Sequence, residues 1–198
     1  MMFEYEKKFN ASDSKVKMDQ SWEWYRFEKK NIIPINRYKY SISRLYGNVL
    51  DVGSGDGYGA YLMSKNPKIK TITCVEIQDK AIQEAKKNLK GIKNITIVKG
   101  IGEDMLFKKK FDSIHCGATL EHVFNDRAVL KEIKRLLKGI AIISVPILSP
   151  IDPLGHIRQY KSVKKFLNLL KKYFEIITYK IYPKYKHKNR STIVVIVK

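Results

Sequence analysis

Residues 49–60 read VLDVGSGDGYGA. Val49, Leu50 and Val52 form an apolar run broken by one acid, Asp51, and it leads directly into Gly53, Gly55, Gly57 and Gly59. Apolar spacing resumes at Tyr61, Leu62 and Met63. That order predicts a buried strand, a glycine turn and a helix start, and an open α/β sheet places its ligand at such a turn. The glycines let the backbone bend sharply and leave no side chain between it and a ligand.

The spacing excludes two phosphate-binding turns. A dinucleotide turn needs glycines at offsets zero, two and five, and the residue five beyond Gly53 is Tyr58. A phosphate loop needs Gly-Lys-Ser/Thr after four spacer residues, which this stretch lacks. Asp51 and Asp56 flank the turn with negative charge, which repels a pyrophosphate and suits a ligand with a cationic end. S-adenosylmethionine has that character: an adenosine joined to a sulfonium and an ammonium, with no phosphate. The next strand, over 71–75, ends in Glu76-Ile77. Glu76 stands about twenty residues past the glycines, where an acid accepts hydrogen bonds from ribose hydroxyls. A Rossmann-like domain holding another nucleotide, or none, is the alternative.

Working outward, residues 1–20 are polar without a steady period and predict a flexible N-terminal arm. Residues 21–46 predict a helical cap. Its first part crowds Trp22, Trp24, Tyr25 and Phe27 into one segment, either packed on the main domain or forming a lid. After a break at Pro34, a helix over 35–46 carries Arg37, Tyr38 and Tyr40. The domain proper spans 47–198. Helices are expected over 58–64, 79–89, 126–137 and 162–173, and strands over 95–98, 111–116 and 140–145, the last closed by Pro146. Residues 174–182 and 192–197 read as two strands whose short basic connection requires antiparallel pairing. Strands alternating with helices up to Val145 imply a parallel sheet with right-handed crossovers.

One hundred and ninety-eight residues with 44% hydrophobic content suit a single core. No apolar run approaches the ~20 residues that span a bilayer, and the start, MMFEYEKKFN, has no signal-peptide core, so a cytoplasmic location is expected. Cys74 and Cys116 fall on strands two and four, roughly 10 Å apart with strand one between them, too far for a disulfide. Both read as small buried apolar residues, and no metal-ligand spacing is present. The formal net charge of +20 implies either an anionic partner such as RNA, DNA, a lipid surface or an acidic glycan, or lysine usage spread over the whole surface. Lysines occur in every region of the chain.

The glycine turn with Glu76, followed by Leu120-Glu121-His122-Val123, the 129–139 segment VLKEIKRLLKG and Ser144-Val145-Pro146, resembles the class I S-adenosylmethionine-dependent methyltransferases. The likeness is to the type 11-like subgroup with an LEHV turn, and it covers the chain from about residue 33 to its end. The resemblance implies a Rossmann-like, seven-stranded, mostly parallel sheet with an antiparallel C-terminal strand pair and helices on both faces. Many relatives have an extra Pro-Gly after the lysine, and the shortened Lys138-Gly139 is expected to tighten a turn.

The resemblance implies S-adenosyl-L-methionine as cofactor. Asp51, Gly53, Ser54, Gly55, Asp56, Gly57 and Tyr58 then line its methionine and ribose portion, and Glu76 and Ile77 hold the ribose. Gly102 and Glu103 lie where the class holds adenine, with Ile101 in the place of the usual acid. Gly117 and Ala118 lie close to the transferred methyl. His122 and His156 are the candidate bases, and Trp24, Arg37, Tyr38 and Arg158 the candidate substrate-binding residues. Against these stand bland readings: the Glu121-His122 pair fixing a loop, and His156 packing a loop. Small-RNA 2′-O-methyltransferases carry a related Glu-x-x-Glu-His-His metal site. The corresponding reading here is that Glu121, His122 and His156 converge on a divalent metal, but Ala118 and Val123 replace two ligands of that pattern, so no metal is assigned.

The implied function is methylation, on oxygen, of a small-molecule or glycan-like acceptor. One alternative is a methyltransferase acting on RNA or another nucleic acid, motivated by the charge, although the chain lacks both the Asp/Asn-Pro-Pro-Tyr/Phe turn and a Pro-Cys nucleophile. A second is a non-catalytic, cofactor-binding partner subunit.

Overall fold

The structure, a computed structural model, describes residues 32–148, 155–183 and 191–198. The arm over 1–20 and the aromatic segment with Trp24 lie outside the described residues. Twelve elements are described: α1 (Ile32–Ile42), β1 (Gly47–Val52), α2 (Tyr58–Met63), β2 (Ile69–Glu76), α3 (Asp79–Asn88), β3 (Ile95–Lys99), β4 (Phe111–Gly117), α4 (Asp126–Leu136), β5 (Leu137–Ile147), α5 (Val163–Leu170), β6 (Ile176–Pro183) and β7 (Ser191–Val197).

The seven strands form one sheet in the order β3-β2-β1-β4-β5-β7-β6. The first five are mutually parallel where they pair, and β7 runs antiparallel to both β5 and β6. The strand order reverses at β1, which has β2 on one side and β4 on the other. In such sheets the crevice at the carboxyl ends of the strands beside that reversal receives the ligand. Gly53 and Gly117 stand at those two strand ends.

Helices cover both faces, as the alternation of strand residues requires. Leu50, Ile114, Cys116, Ile143 and Val195 pack against α4 and α5 through Val129, Leu130, Ile133, Phe166 and Leu170. On the other side of the sheet Val49, Cys74, Ile142, Val194 and Ile196 cluster with Leu45, Ala60, Met63, Ala85 and Leu89. Both cysteines are free and buried, with β1 between their strands. Burial pushes both thiols well above the ordinary range, which makes them inert packing residues.

Two local expectations are corrected. α1 begins at Ile32, ahead of Pro34, because a proline in the first helical turn lacks an N–H that has no intrahelical partner there. β5 begins at Leu137, directly on the end of α4, and continues past Pro146 to Ile147. Lys138-Gly139 is therefore strand and not turn. A Cβ on Gly139 would overlap the Tyr46 hydroxyl and the Asp112 carbonyl, so the start of the strand has room only for glycine there. Pro146 lies beyond the last register pair with β4, Gly117 with Ser144, where its missing N–H breaks no rung. None of the described helices is long and apolar enough to cross a membrane.

Candidate active site

The glycine turn is pinned from beneath and open above. Gly53 and Ser54 donate their N–H groups to the Val75 carbonyl at 2.9 and 3.1 Å, which ties the turn to β2. Gly53 has φ +70°, and a Cβ there would sit 2.5 Å from the Thr119 methyl. Gly55 has φ +56°, and the direction its Cβ would take meets no atom within 4 Å. A side chain is excluded at Gly53 by a neighbour, whereas at Gly55 the missing side chain leaves a space. The following residues belong to the helix start. Gly57 caps α2, and Asp56 Oδ1 accepts from Tyr58 N at 3.3 Å.

Glu76, at the end of β2, forms one wall of that space. Its Oε2 accepts from Gly55 N at 2.8 Å, and its Oε1 accepts from Ile77 N and Gln78 N at 2.8 and 3.0 Å. Burial pushes its carboxyl upward, and the three backbone donors pull it back. Oε1 is filled by its two donors, and Oε2 keeps one lone-pair direction for a further donor.

Asp51 has a partner that the sequence reading missed. It sits opposite His115 in the parallel β1–β4 register, and His115 Nδ1 lies 2.8 Å from Asp51 Oδ1. A carboxylate only accepts, so the proton is on Nδ1. The signal was present in the sequence, as a polar imidazole inside the apolar strand FDSIHCG. Its depth relative to Asp51 came only from the strand pairing. A Cβ on Gly117 would lie 2.7 Å from the His115 ring, so the imidazole fills the flank of the β4 strand end. Ala118 follows with φ +54° and donates to the Ser144 carbonyl at 2.9 Å. An alanine held in the left-handed region is strained, a feature that gathers at functional sites. Above this floor, Tyr38 on α1 sets its ring 5.7 Å from Tyr58 and 6.5 Å from His115, centroid to centroid.

The turn after β4 is braced by residues downstream of β5. Thr119 Oγ1 donates to the Val52 carbonyl at 2.9 Å, and the Glu121 carbonyl accepts from Ile157 N and Arg158 N at 3.0 and 3.2 Å. The Arg158 guanidinium donates to the carbonyls of Leu120, Val123 and Phe124 at 3.1, 2.8 and 2.9 Å and pairs with Asp126 at 3.4 Å. Arg158, expected as a substrate anchor, spends its donors on the turn itself. His122 Nδ1 lies 3.1 Å from the Gly155 carbonyl, and the His156 ring meets the His122 ring edge-on at 4.7 Å. Glu121 is buried beside them, and that burial pushes its carboxyl up to about 8 against the pull of its own backbone N–H and the charge of Arg37. Arg37 itself reaches from α1 to Thr192 Oγ1 at 3.4 Å, at the start of β7.

On the side expected to hold adenine, Ile101 is buried and Gly102 packs against Val52 and Val129. Glu103 Oε1 accepts from Asn125 N at 3.3 Å, so its carboxylate faces the start of α4. The predicted residues thus fall into two groups. Asp51, Gly53, Gly55, Glu76, Gly117, Ala118 and Tyr38 gather at the strand-order reversal, and Arg37, His122 and His156 gather beside it.

The family described as a methyltransferase domain matches residues 46–188. No curated protein matches the chain. Among solved structures, the N-methyltransferase NodS from Bradyrhizobium japonicum superposes with a TM-score of 0.70 at 15% identity, over 84% of this chain and 96% of that one. The N-terminal domain of EvdMO1, described in the presence of S-adenosylhomocysteine and D-fucose, gives 0.64 at 16% identity, over 84% and 82%. The cyclase SpnF gives 0.68 at 14% identity, over 82% and 79%. The sheet order, the glycine turn with its acidic partner on β2 and the family match over most of the chain together make this protein a member of the class I S-adenosylmethionine-dependent methyltransferases.

Proposed function

We propose that the protein transfers a methyl group from S-adenosylmethionine to an oxygen of a small-molecule or glycan-like acceptor, in the cytoplasm. The observation that carries the cofactor part is the cradle at Gly55. It combines an open space where a side chain would stand with a buried carboxylate, Glu76, whose Oε2 is still able to accept from a ribose hydroxyl. Asp51 supplies the second negative group at the floor, suited to an ammonium. When bound, that cofactor supplies a methyl carbon already activated by its sulfonium, so the protein contributes positioning and a path for the acceptor's proton.

In this reading Gly117, Ala118 and His115 border the reacting centre, and Tyr38 covers the cofactor from α1. Arg37 approaches the acceptor from the same helix. His122 and His156 stand where an acceptor hydroxyl would lose its proton. A sugar hydroxyl is the first acceptor class to test, since EvdMO1 shares the fold and is described with D-fucose. NodS is described as an N-methyltransferase, so amino sugars belong in the same screen.

A nucleic-acid acceptor is the second reading. It is favoured by the cleft between α4 and α5, where Arg127, Lys165 and Lys172 join an Arg158 already paired with Asp126. SpnF shows that this fold also occurs in a protein described as a cyclase, so turnover must be measured along with binding. The deciding experiment is calorimetric titration with S-adenosylmethionine and S-adenosylhomocysteine, followed by methyl transfer from labelled cofactor to sugars, amino sugars and RNA in parallel. Micromolar binding of both with label in a sugar fraction is the expected result. Binding without transfer to any acceptor points to a partner subunit, and no binding sinks the reading.

A further inference from the structure

The turn after β4 holds a cluster that cofactor binding does not use. One ligand atom from each of Glu121, His122 and His156 lies within 4.8 Å of the other two. Glu121 is 1% exposed, and neither carboxylate oxygen has a hydrogen-bond partner among the described residues. A carboxylate in such a place is unfavourable unless something positive or donating meets it. Arg37 acts on it only through space, with Nη1 turned to Thr192 Oγ1 at 3.4 Å. The Glu121 backbone is fixed by two N–H donors from 157 and 158, so the side chain is held where it is.

His122 supplies the second observation. Its Nδ1 faces the Gly155 carbonyl at 3.1 Å. A carbonyl only accepts, so Nδ1 carries the proton and Nε2 is the ring's acceptor nitrogen. That is the tautomer of a metal-bound histidine steadied by an outer carbonyl. We infer that Glu121, His122 and His156 bind a divalent transition-metal cation. Two imidazoles and one carboxylate favour zinc, cobalt, iron or manganese over calcium and magnesium, which take oxygen sets. Around such an ion, ligand atoms at ~2.1 Å stand roughly 3.4 Å apart, so the three side chains close inward slightly on binding. Three protein ligands leave coordination positions open, as in catalytic sites.

Ala118 and Val123 stand in two of the four ligand places of the Glu-x-x-Glu-His-His pattern considered from sequence, and a three-ligand site needs neither. Resting on the methyl-transfer reading, the ion's open positions take the acceptor's oxygen and ease loss of its proton. His122 and His156 then hold the ion and do not themselves take the proton.

The test uses the tag-free full-length chain, stripped with a chelator and titrated with cobalt(II) in the visible range, with zinc as competitor and magnesium as comparator. One equivalent of cobalt with d–d absorption, displaced by zinc and untouched by magnesium, is expected. Glu121→Gln and His156→Ala should each weaken cobalt binding by ~10-fold or more, with a chelated-state melting curve matching the parent as the check on folding. No d–d absorption, uptake that survives in the double variant, or a preference for magnesium overturns the site. Titrating S-adenosylhomocysteine into the same samples separates the two proposals. Its binding without cobalt uptake removes the metal site alone, and cobalt uptake without its binding removes the methyl-transfer reading alone.

Discussion

At the residue scale, His115 and Gly55 carry the sharpest expectations. His115 donates to an Asp51 carboxylate that is only 3% exposed. Removing that donor leaves a buried charge short of a partner, at about 1–3 kcal/mol. His115→Ala should therefore lower both the melting temperature and the affinity for S-adenosylhomocysteine. His115→Asn, which keeps an N–H near the same place, should recover part of each, and thermal melts with calorimetry check both. Gly55→Val separates fold from site. The positive φ strains a branched residue by roughly 1–2 kcal/mol, whereas the side chain enters the open space beside Glu76. A melting shift of only a few degrees with cofactor affinity down by at least ~100-fold, or about 2.7 kcal/mol, is the expected pattern.

At the element scale, the turn after β4 behaves as a unit because Arg158 and Tyr160 clamp it. Tyr160 donates its hydroxyl to Asp126 Oδ2 at 3.0 Å, and burial followed by that acid pushes the phenol well above its ordinary range. Arg158 reaches three carbonyls and one carboxylate with a single planar fork, which a lysine ammonium cannot reproduce. Arg158→Lys should destabilise the protein by about 1–3 kcal/mol, read in a urea melt. An anchor acting only on substrate would leave that melt unchanged. A second clamp joins α4 to the β3–β4 connection. Arg135 donates to the Met105 and Phe107 carbonyls, and Glu132 pairs with Arg135 while accepting from Met105 N. The Arg135 hydrogen bond holds the Glu132 carboxyl below its ordinary value. The folded state thus binds that proton less readily than the unfolded chain. The contribution is present above the unfolded value of about 4.3 and is lost as pH falls through the lower folded one. Melting curves between pH 7 and 3 should show a larger acid-induced loss in the parent than in Glu132→Gln.

At the scale of the whole molecule, the question is what the +20 charge serves. A polyanionic acceptor would release counterions on binding, and its affinity would fall by orders of magnitude between 50 and 200 mM salt. Under the small-acceptor reading, methyl transfer to a neutral sugar should change little over that range, and the two salt profiles measured side by side decide between them. The +20 itself follows from composition, yet charge placement is a property of the fold. Arg127, Lys165 and Lys172 are separated along the chain and meet only because α4 and α5 pack on the same face of the sheet.

By itself the sequence determined the elements, because strand and helix periods, glycine spacing and prolines are local signals that neighbouring residues generate. The run from Val49 through the glycine turn to Glu76 needed only the 2.0 and 3.6 residue periods and one loop chemistry to be read. Of the ends that were missed, the one at Pro34 follows from the tolerance of a first helical turn for proline, whereas Gly139 is held by what stands against it in space, Tyr46 and Asp112. Tertiary structure alone decided the pairs. His115 meets Asp51 through the β1–β4 register, Arg158 turns inward to the carbonyls of the LEHV turn, and Glu121, His122 and His156, whose convergence the sequence offered only as one open reading, come together. Those contacts join residues up to 64 positions apart. No local pattern encodes them, because the order in which strands lie side by side is set by the packing of the entire sheet.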